Sequence, residues 1–283
     1  MQSVLEETKF IMKKYGITAN KSLGQNFLVD DEIVDKIVSS AGITKQDLVI
    51  EIGPGLGTLT SKLLEAAGKV VVIELDDRMI RILQDRFSIY SNFELIHDDV
   101  LKVDLNQLIS ENKEYKCVKV VANLPYYITT PIIMKLLEDR LELSSITVMV
   151  QKEVADRITV LPGQKDSGAI TYSVYYYSEP GNVCFVPRDC FIPSPDVDSA
   201  VIKLDIRDNP VVEVASEELF FKVIKASFMQ RRKTLLNGLL NGGLISNKED
   251  GKQLLKKVGV AENIRGEALG IQQFANIANE LNN

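Results

Sequence analysis

The chain has 283 residues, of which 45% are hydrophobic, so it is long enough for one large domain and a smaller one. Its formal net charge of -6 argues against a protein that binds polyanions over its whole surface, and any nucleic-acid contact must come from locally clustered basic residues. A single histidine, His97, and three cysteines without a CxxC spacing disfavour histidine-dependent hydrolases, disulfide frameworks and metal sites.

The hydropathy pattern indicates no membrane association. No stretch approaches the roughly 18 apolar residues of a membrane helix, and the N-terminal residues have no apolar core of signal-peptide length. We therefore expect a cytoplasmic protein without a membrane partner. The sequence carries no signal for oligomerisation, so a monomer is the default expectation.

Apolar runs typical of strands alternate with helically spaced segments through the first two thirds of the chain. These runs are DLVIEIG, KVVVIEL, FELIHDD, CVKVVANLP and SSITVMVQ. Such alternation predicts an α/β fold with a mostly parallel sheet covered by helices. Three later runs, AITYSVYYYSE, NVCFVPRDCF and SAVIKLDI, lack intervening helical segments and predict strands of an antiparallel hairpin added to that sheet.

The pattern changes near Pro210, which predicts a domain boundary between residues 208 and 209. Ser216 is expected to cap a helix in which Phe220, Val223, Ile224 and Phe228 fall at helical spacing, and the Gly- and Asn-rich stretch 237–243 is expected to end it. Two further helices are predicted around KEDGKQLLKKVGV and LGIQQFANIANEL. Residues 209–283 should thus form a small all-helical domain beside an α/β domain of residues 1–208.

A glycine-rich turn, EIGPGLGTLT, joins the first strand of the α/β region to a helix. Gly53, Gly55 and Gly57 let the backbone turn tightly and let a ligand approach the main chain. The turn lacks the Gly-Lys-Ser/Thr of a P-loop, and a dinucleotide fingerprint would require its third glycine at Thr58. The compact GxGxG favours a ligand without a pyrophosphate.

Acidic residues follow the next two strands at their carboxyl ends. Glu74 is placed to accept the hydroxyls of a ribose, and Asp98 or Asp99 to accept an adenine amino hydrogen. Together with the glycine turn they outline an adenosine-shaped site at the open edge of an α/β sheet. This pattern resembles that of Rossmann-like methyltransferases that use S-adenosylmethionine, in which Glu51 would be a further acid near the methionine end.

The segment NLPYYITTP follows the fourth strand. The amide oxygen of Asn123 and the backbone carbonyl of Leu124 can accept both hydrogens of an exocyclic base amine, which turns its lone pair toward a methyl donor. Pro125 fixes the backbone direction, and Tyr126 offers a ring on which the base can stack. Tyr127 is expected to pack against the domain. Such chemistry depends on positioning and requires no metal or strong general base.

Over nearly its full length the chain resembles the ribosomal RNA adenine N6-dimethyltransferases, most closely those of the small subunit. The segments that carry the resemblance are KSLGQNFLVD, EIGPGLGTLT, VIELD, DDVL, NLPYYIT, MVQKEVADRI, FIPSPDVDSAVIKL and FMQRRKTLLN. The resemblance implies a class I methyltransferase fold, with a mostly parallel seven-stranded sheet between helices and a helical C-terminal domain. It further implies dimethylation, with S-adenosylmethionine, of two adjacent adenosines in a hairpin loop near the 3' end of 16S rRNA, linked to small-subunit biogenesis.

The resemblance also implies residue roles. The donor site would comprise Gln25, Asn26, Leu28, Gly53, Gly55, Glu74, Asp99 and Asn123. The catalytic set would comprise Asn123, Leu124, Pro125, Tyr126 and Phe191, with Phe191 closing the other face of the target base. Residues 1–208 would bind the donor and catalyse, while residues 209–283 would contact RNA or the ribosome through Arg231, Arg232 and Lys233.

Two other functions remain open on sequence grounds. The first is the large-subunit rRNA dimethylase that confers macrolide resistance, against which the longer C-terminal part and FMQRRKTLLN argue. The second is a factor that acts mainly in small-subunit assembly, with methylation secondary. A small-molecule or DNA amino-methyltransferase has no support, because no DNA-binding motif is present.

Overall fold

The computed structural model describes residues 3–20, 23–230 and 232–282. The chain divides into two compact units, Met1–Ala155 with Pro180–Ile206, and Asp156–Glu179 with Arg207–Asn283. The boundary predicted from sequence lay between residues 208 and 209, whereas the structure also groups residues 156–179 with the second unit. None of the helices within the described ranges is long and apolar enough to cross a membrane.

The elements of the described residues are numbered in chain order. The strands are β1 (Phe27–Leu28), β2 (Asp47–Ile52), β3 (Lys69–Glu74), β4 (Phe93–His97), β5 (Cys117–Asn123), β6 (Ser145–Gln151), β7 (Ser178–Val186), β8 (Phe191–Ile192) and β9 (Ser199–Ile206). The helices are α1 (Val4–Tyr15), α2 (Asp31–Ser40), α3 (Thr58–Ala66), α4 (Asp77–Phe87), α5 (Leu105–Ser110), α6 (Thr129–Glu138), α7 (Lys152–Thr159), α8 (Ala169–Tyr177), α9 (Glu217–Phe228), α10 (Leu235–Asn241), α11 (Lys248–Lys257) and α12 (Ile271–Asn282).

Seven strands form one sheet in the order β4-β3-β2-β5-β6-β9-β7, and β1 pairs with β8 in a separate two-stranded sheet. The strands from β4 to β6 pair in parallel, whereas β9 runs antiparallel to β6. The predicted mostly parallel sheet with an antiparallel addition is therefore confirmed. Every residue of β2 is buried, as expected of a central strand covered on both faces. The parallel strands bring the ends of β2, β3, β4 and β5 to one edge of the sheet.

The third glycine of the GxGxG turn has a packing role. Gly57 has a φ of 83° and precedes α3, and a Cβ atom there would lie 2.4 Å from Cε2 of Phe87 in α4. Any side chain would collide with this core ring, in a backbone conformation that L-residues rarely adopt. Gly57 thus allows α4 to pack against the turn that leads into α3.

The prediction of a strand over AITYSVYYYSE is wrong for residues 169–177, which form α8. Tyr172 and Tyr176, one helical turn apart, are buried in the core of the second unit. The rings of Tyr172 and Phe274 meet edge to face at 4.9 Å, and those of Tyr176 and Phe220 lie 5.2 Å apart. Aromatic residues favour strands on average, but this packing overrides the preference and explains why residues 156–179 belong to the helical unit.

The helices predicted for the C-terminal region are confirmed, with one correction. Ser216 caps α9 by accepting a hydrogen bond from the Leu219 N–H, and α11 and α12 lie where the sequence predicted them. The glycine-rich stretch does not end α9 but largely forms a further helix, α10. A Cβ atom on Gly238 would lie 2.8 Å from the carbonyl oxygen of Ala226. Glycine here permits α9 and α10 to approach closely.

Candidate active site

A cavity that is partly open to solvent is lined by residues at the carboxyl ends of β2, β3, β4 and β5. The N-terminal segment around β1 and the turn after β5 complete its wall. Eleven of the twelve residues predicted for donor binding or catalysis line it. They are Gln25, Asn26, Leu28, Gly53, Gly55, Glu74, Asp99, Asn123, Leu124, Pro125 and Tyr126.

Glu74 ends β3 with its carboxylate held by three backbone N–H groups. Oε1 accepts from Leu75 at 2.8 Å and from Asp76 at 2.9 Å, and Oε2 accepts from Gly55 at 3.2 Å. Burial raises the pKa of the Glu74 carboxyl, and the three N–H donors oppose that rise. Since a carboxylate oxygen accepts about two hydrogen bonds, Oε2 has capacity for another donor such as a ribose hydroxyl.

Gly53 keeps one side of the cavity open. It has a φ of 64°, and its N–H donates to the carbonyl of Ile73 in the neighbouring strand. A Cβ atom at this position would meet only Cδ of Pro125, at 3.9 Å. The space beside the main chain is therefore free, and a side chain would fill room that a ligand could use.

Asp98 and Asp99 follow β4 and line the same cavity. Oδ1 of Asp98 accepts from the Asp99 N–H at 2.7 Å, and Oδ1 of Asp99 accepts from the Leu101 N–H at 3.0 Å. These contacts hold both carboxylates beside the strand end. The second oxygen of Asp99 can accept a hydrogen from an amino group, as an adenine would offer.

Glu51 is a buried acid in the cavity wall. It is 1% exposed, and its Oε2 accepts a hydrogen bond from Oγ1 of Thr60 at 2.6 Å. Burial raises the pKa of Glu51 to about 8, with a smaller contribution from the negative charge of Glu74 and opposition from the Thr60 contact. Glu51 is therefore largely protonated at neutral pH in this structure.

Asn123 ends β5 with its side-chain amide in a defined orientation. Its Nδ2 atom donates to the backbone carbonyl of Asn26 at 3.2 Å, and Nδ2 of Asn26 donates to the carbonyl of Gly24. A backbone carbonyl can only accept, so the amide cannot be reversed without losing this contact. Among the described residues none donates to Oδ1 of Asn123, which leaves that atom able to accept a hydrogen from a substrate amine.

The residues after Asn123 are held rigidly. The N–H of Leu124 donates to the carbonyl of Met149 in β6 at 3.1 Å, and the Leu124 side chain is buried. The hydroxyl of Tyr126 lies 2.5 Å from Oγ of the buried Ser199, which anchors the far end of the ring. Burial also raises the pKa of Tyr126, so its phenol stays protonated. The structure thus presents a fixed aromatic ring beside the Asn123 amide.

Tyr127 packs against the domain only in part, whereas the sequence predicted that it would pack there. It is 54% exposed and lines the cavity. Its ring lies beside Gly24, where a Cβ atom would be 3.4 Å from the ring carbon Cδ1. The turn after β5 therefore supplies two tyrosine rings, one anchored and one exposed.

Phe191 is the predicted residue that does not line the cavity. It lies in β8 opposite Leu28, is 3% exposed and belongs to the hydrophobic core of the first unit. The β1–β8 pairing nevertheless joins Phe191 to a strand whose residue Leu28 does line the cavity. Its stacking role stays a prediction.

Asp76 and Arg78 were not among the residues predicted from sequence. Asp76 caps α4 and is 8% exposed, and its Oδ2 accepts from Nε2 of Gln25 at 2.8 Å. Arg78 pairs with the same carboxylate at 2.5 Å. In the sequence, the charged residues of ELDDRM suggest only the capped start of a helix. The contact between Asp76 and Gln25 could not be predicted from this pattern, because the two residues lie 51 positions apart.

The predicted RNA-binding residues lie in the second unit. Arg232 and Lys233 are exposed there, and Arg231 lies outside the described residues. In the part of the chain that the structure describes, no group of three or more His, Cys, Asp or Glu side chains could hold a metal ion.

Comparisons with known proteins agree on one family. A profile described as "Ribosomal RNA adenine dimethylase" matches residues 16–283. The chain is 50% identical over 276 residues to the ribosomal RNA small subunit methyltransferase A of Clostridioides difficile, covering 97% of this chain and 95% of the relative. The crystal structure of a dimethyladenosine transferase from Plasmodium falciparum matches with a TM-score of 0.74 at 28% identity, covering 89% of this chain and 95% of the other. That of the 23S rRNA methyltransferase ErmE gives 0.69 at 26% identity, with 91% and 100% covered.

Proposed function

Because this chain belongs to the ribosomal RNA adenine dimethylase family, we propose that it transfers methyl groups from S-adenosylmethionine to adenine N6 atoms of 16S rRNA. Two adjacent adenosines in a hairpin loop near the 3' end would each receive two methyl groups. The observation that carries the chemistry is the Asn123 amide, which is oriented by Asn26 at the end of β5 beside the cavity.

The cavity residues fit an adenosyl donor. Glu74 has an oxygen with spare acceptor capacity for the ribose, and Asp99 has a free carboxylate oxygen for an adenine amino group. Gly53 leaves open space beside the main chain. When bound, S-adenosylmethionine supplies a methyl group on a positively charged sulfur that is a good leaving group.

The target amine must be activated, because its lone pair is delocalised into the adenine ring. Oδ1 of Asn123 and the carbonyl of Leu124 accept the two N6 hydrogens and favour a nitrogen whose lone pair points at the methyl group. The N–C bond forms as the S–C bond breaks, and the alkylated nitrogen then loses a proton to solvent. These groups act through position and fixed dipoles, and no strong base is required.

Tyr126 supplies the surface for the base. An adenine can reach the cavity only when it is unpaired or turned out of its stack, and it then requires a replacement for the stacking it has lost. The ring of Tyr126 is anchored through Ser199, so little conformational entropy is lost when a base stacks on it. In a hairpin loop the adenines are already unpaired, so little free energy is needed to turn one of them into the cavity.

The choice of the small subunit is supported by the similarity to small-subunit enzymes. The Clostridioides difficile relative is 50% identical, whereas the 23S enzyme ErmE is 26% identical. We further propose that the helical unit contacts RNA through exposed basic residues that include Arg232 and Lys233. Because the net charge of the chain is negative, this role requires a local cluster of basic residues on the surface.

The test is transfer of labelled methyl groups to purified, unmethylated small subunits, large subunits and protein-free RNA. We expect label in small-subunit RNA. Label confined to large-subunit RNA would instead support the macrolide-resistance activity, and particle binding without any transfer would support an assembly factor.

A further inference from the structure

Arg78, near the start of α4, connects separate parts of the chain. Its Nε and Nη2 atoms donate to the two carboxylate oxygens of Asp76, at 3.0 and 2.5 Å. Its Nη1 atom donates to the carbonyl of Thr18 at 3.2 Å, and Nη2 also contacts Oε1 of Gln25 at 3.4 Å. A guanidinium that binds a carboxylate through two donors is held in one orientation. Arg78 therefore fixes the N-terminal segment against the start of α4.

Asp76 joins this contact to the predicted ribose-binding acid. Its carboxylate accepts from Gln25 and Arg78, while its own N–H donates to Oε1 of Glu74 at 2.9 Å. The Arg78 contact lowers the pKa of the Asp76 carboxyl, so this buried group stays ionised. Asp76 thus contacts both predicted donor-site residues, Gln25 through its carboxylate and Glu74 through its backbone N–H.

Gln25 carries the connection to the catalytic amide. Its Oε1 atom accepts from the Asn20 N–H at 2.9 Å and its Nε2 donates to Asp76, so both ends of the side-chain amide are engaged within the protein. The next residue, Asn26, uses its carbonyl to accept from Nδ2 of Asn123. A displacement of Gln25 would therefore move the group that orients Asn123.

We propose that Asp76 and Arg78 are positioning residues of the methyl-transfer site. They hold Glu74 and the N-terminal segment in register, and through Asn26 they set the orientation of the Asn123 amide. Gln25 acts in this arrangement as a structural link and does not use its amide to bind the donor. The inference rests on the proposed function, because it requires an adenosyl donor in this cavity.

The variant Asp76→Asn separates this role from helix capping. An asparagine still caps α4 through Oδ1, but its NH₂ group would face the donors of Gln25 and Arg78. The matched control is Asp104→Asn, because Asp104 caps α5 by accepting from the Gln107 N–H at 2.9 Å and does not line the cavity. Both variants remove one negative charge from a helix cap.

The readouts are calorimetric binding of S-adenosylhomocysteine, the KM for the donor, kcat, and the thermal midpoint. We expect Asp76→Asn to weaken S-adenosylhomocysteine binding about tenfold or more and to raise the donor KM, as loss of a charge-assisted hydrogen bond would. Asp104→Asn should bind like the wild type. The thermal midpoints of Asp76→Asn and Asp104→Asn are compared as well. Weaker binding in Asp76→Asn without a larger fall in its thermal midpoint than in Asp104→Asn separates positioning from a general loss of stability.

A compensating exchange gives the sharper test. Combining Gln25→Glu with Asp76→Asn reverses donor and acceptor across the contact between residues 25 and 76 and keeps an acceptor for the Asn20 N–H, while Nη2 of Arg78 still loses its Oδ2 partner. We expect this double variant to recover the part of the affinity that depends on the contact between residues 25 and 76. No recovery, or wild-type affinity in Asp76→Asn itself, would overturn the positioning role.

The same binding assay distinguishes this inference from the proposed function. It needs no RNA, so an error in the assigned RNA target leaves its result intact. Wild-type protein that fails to bind S-adenosylhomocysteine would overturn the proposed donor and this inference together. Normal wild-type binding with an unaffected Asp76→Asn would overturn the inference alone.

Discussion

The Nδ2 atom of Asn123 donates to the backbone carbonyl of Asn26 across 3.2 Å. The two residues lie 97 positions apart in sequence and both line the cavity. The contact directs the amide oxygen of Asn123 away from that carbonyl, where it can accept a hydrogen from the target amine. It thereby couples the N-terminal segment that lines the cavity to the amide that we propose activates the substrate.

Loss of this orientation should affect turnover more than donor binding. We expect Asn123→Ala, and also Asn123→Asp, to lower kcat by about a hundredfold, since pre-placed hydrogen-bonding groups contribute at this level. A carboxylate at position 123 cannot donate to Asn26. Single-turnover methylation measures the effect, with Asn106→Ala as the control because Asn106 also donates to a backbone carbonyl on an exposed surface. Wild-type turnover in Asn123→Asp would contradict the assigned role.

Glu74→Gln should weaken donor binding. The carboxylate accepts three backbone N–H groups, and an amide would turn a donor toward at least one of them. We expect binding of S-adenosylhomocysteine to fall about tenfold or more, as for a lost hydrogen bond to a charged group. Calorimetry with the exposed Glu65→Gln as the matched control tests this. Unchanged affinity would remove Glu74 from the donor site.

Substitution of Tyr126 should act on the RNA substrate alone. Tyr126→Ala removes the ring, and we expect kcat/KM for RNA to fall by about ten- to a hundredfold, in line with the worth of base stacking. Tyr126→Phe keeps the ring but loses the contact with Ser199, so its loss should be smaller. Donor affinity should stay the same in both. A Tyr126→Ala protein with normal kcat/KM would refute the stacking role.

Burial of Glu51 should make stability depend on pH. Its pKa is about 8 in the folded protein against 4.5 for an ordinary glutamic acid, so the folded state binds more protons than the unfolded state between these values. Its contribution to stability is complete below 4.5 and is lost as the pH rises to about 8. Glu51 should contribute a decline of up to about 1.4 kcal/mol per pH unit to urea unfolding across this range, so the decline should be smaller in Glu51→Gln than in the wild type. Parallel wild-type and Glu51→Gln profiles would contradict this.

The sheet and most of the cavity could be predicted because parallel strands place their carboxyl ends at one edge. The sequence assigns GxGxG, Glu74, Asp99 and Asn123 to the carboxyl ends of successive strands. A parallel sheet brings these strand ends together at one edge, so the residues are expected to line one cavity. Local patterns could also identify α9, whose Ser216 cap and apolar spacing agree. These features depend on local sequence patterns and on the general rule that parallel strands place their carboxyl ends at one edge of the sheet.

Features that depend on long-range packing were not predictable. The aromatic run of α8 favours a strand by composition, and only burial of Tyr172 and Tyr176 against other helices makes it helical. The exposure of Tyr127 and the burial of Phe191 likewise follow from how separate segments pack. Arg78 gives no sequence signal because its contact with Thr18 bridges 60 positions.

The most direct test of the proposed activity is nucleoside analysis of unmethylated small subunits after incubation with the protein and S-adenosylmethionine. We predict N6,N6-dimethyladenosine at two adjacent positions of 16S rRNA with the wild-type protein, and a strong reduction with Asn123→Ala. Absence of N6,N6-dimethyladenosine from small-subunit RNA under conditions where the protein binds S-adenosylhomocysteine would contradict the proposed function.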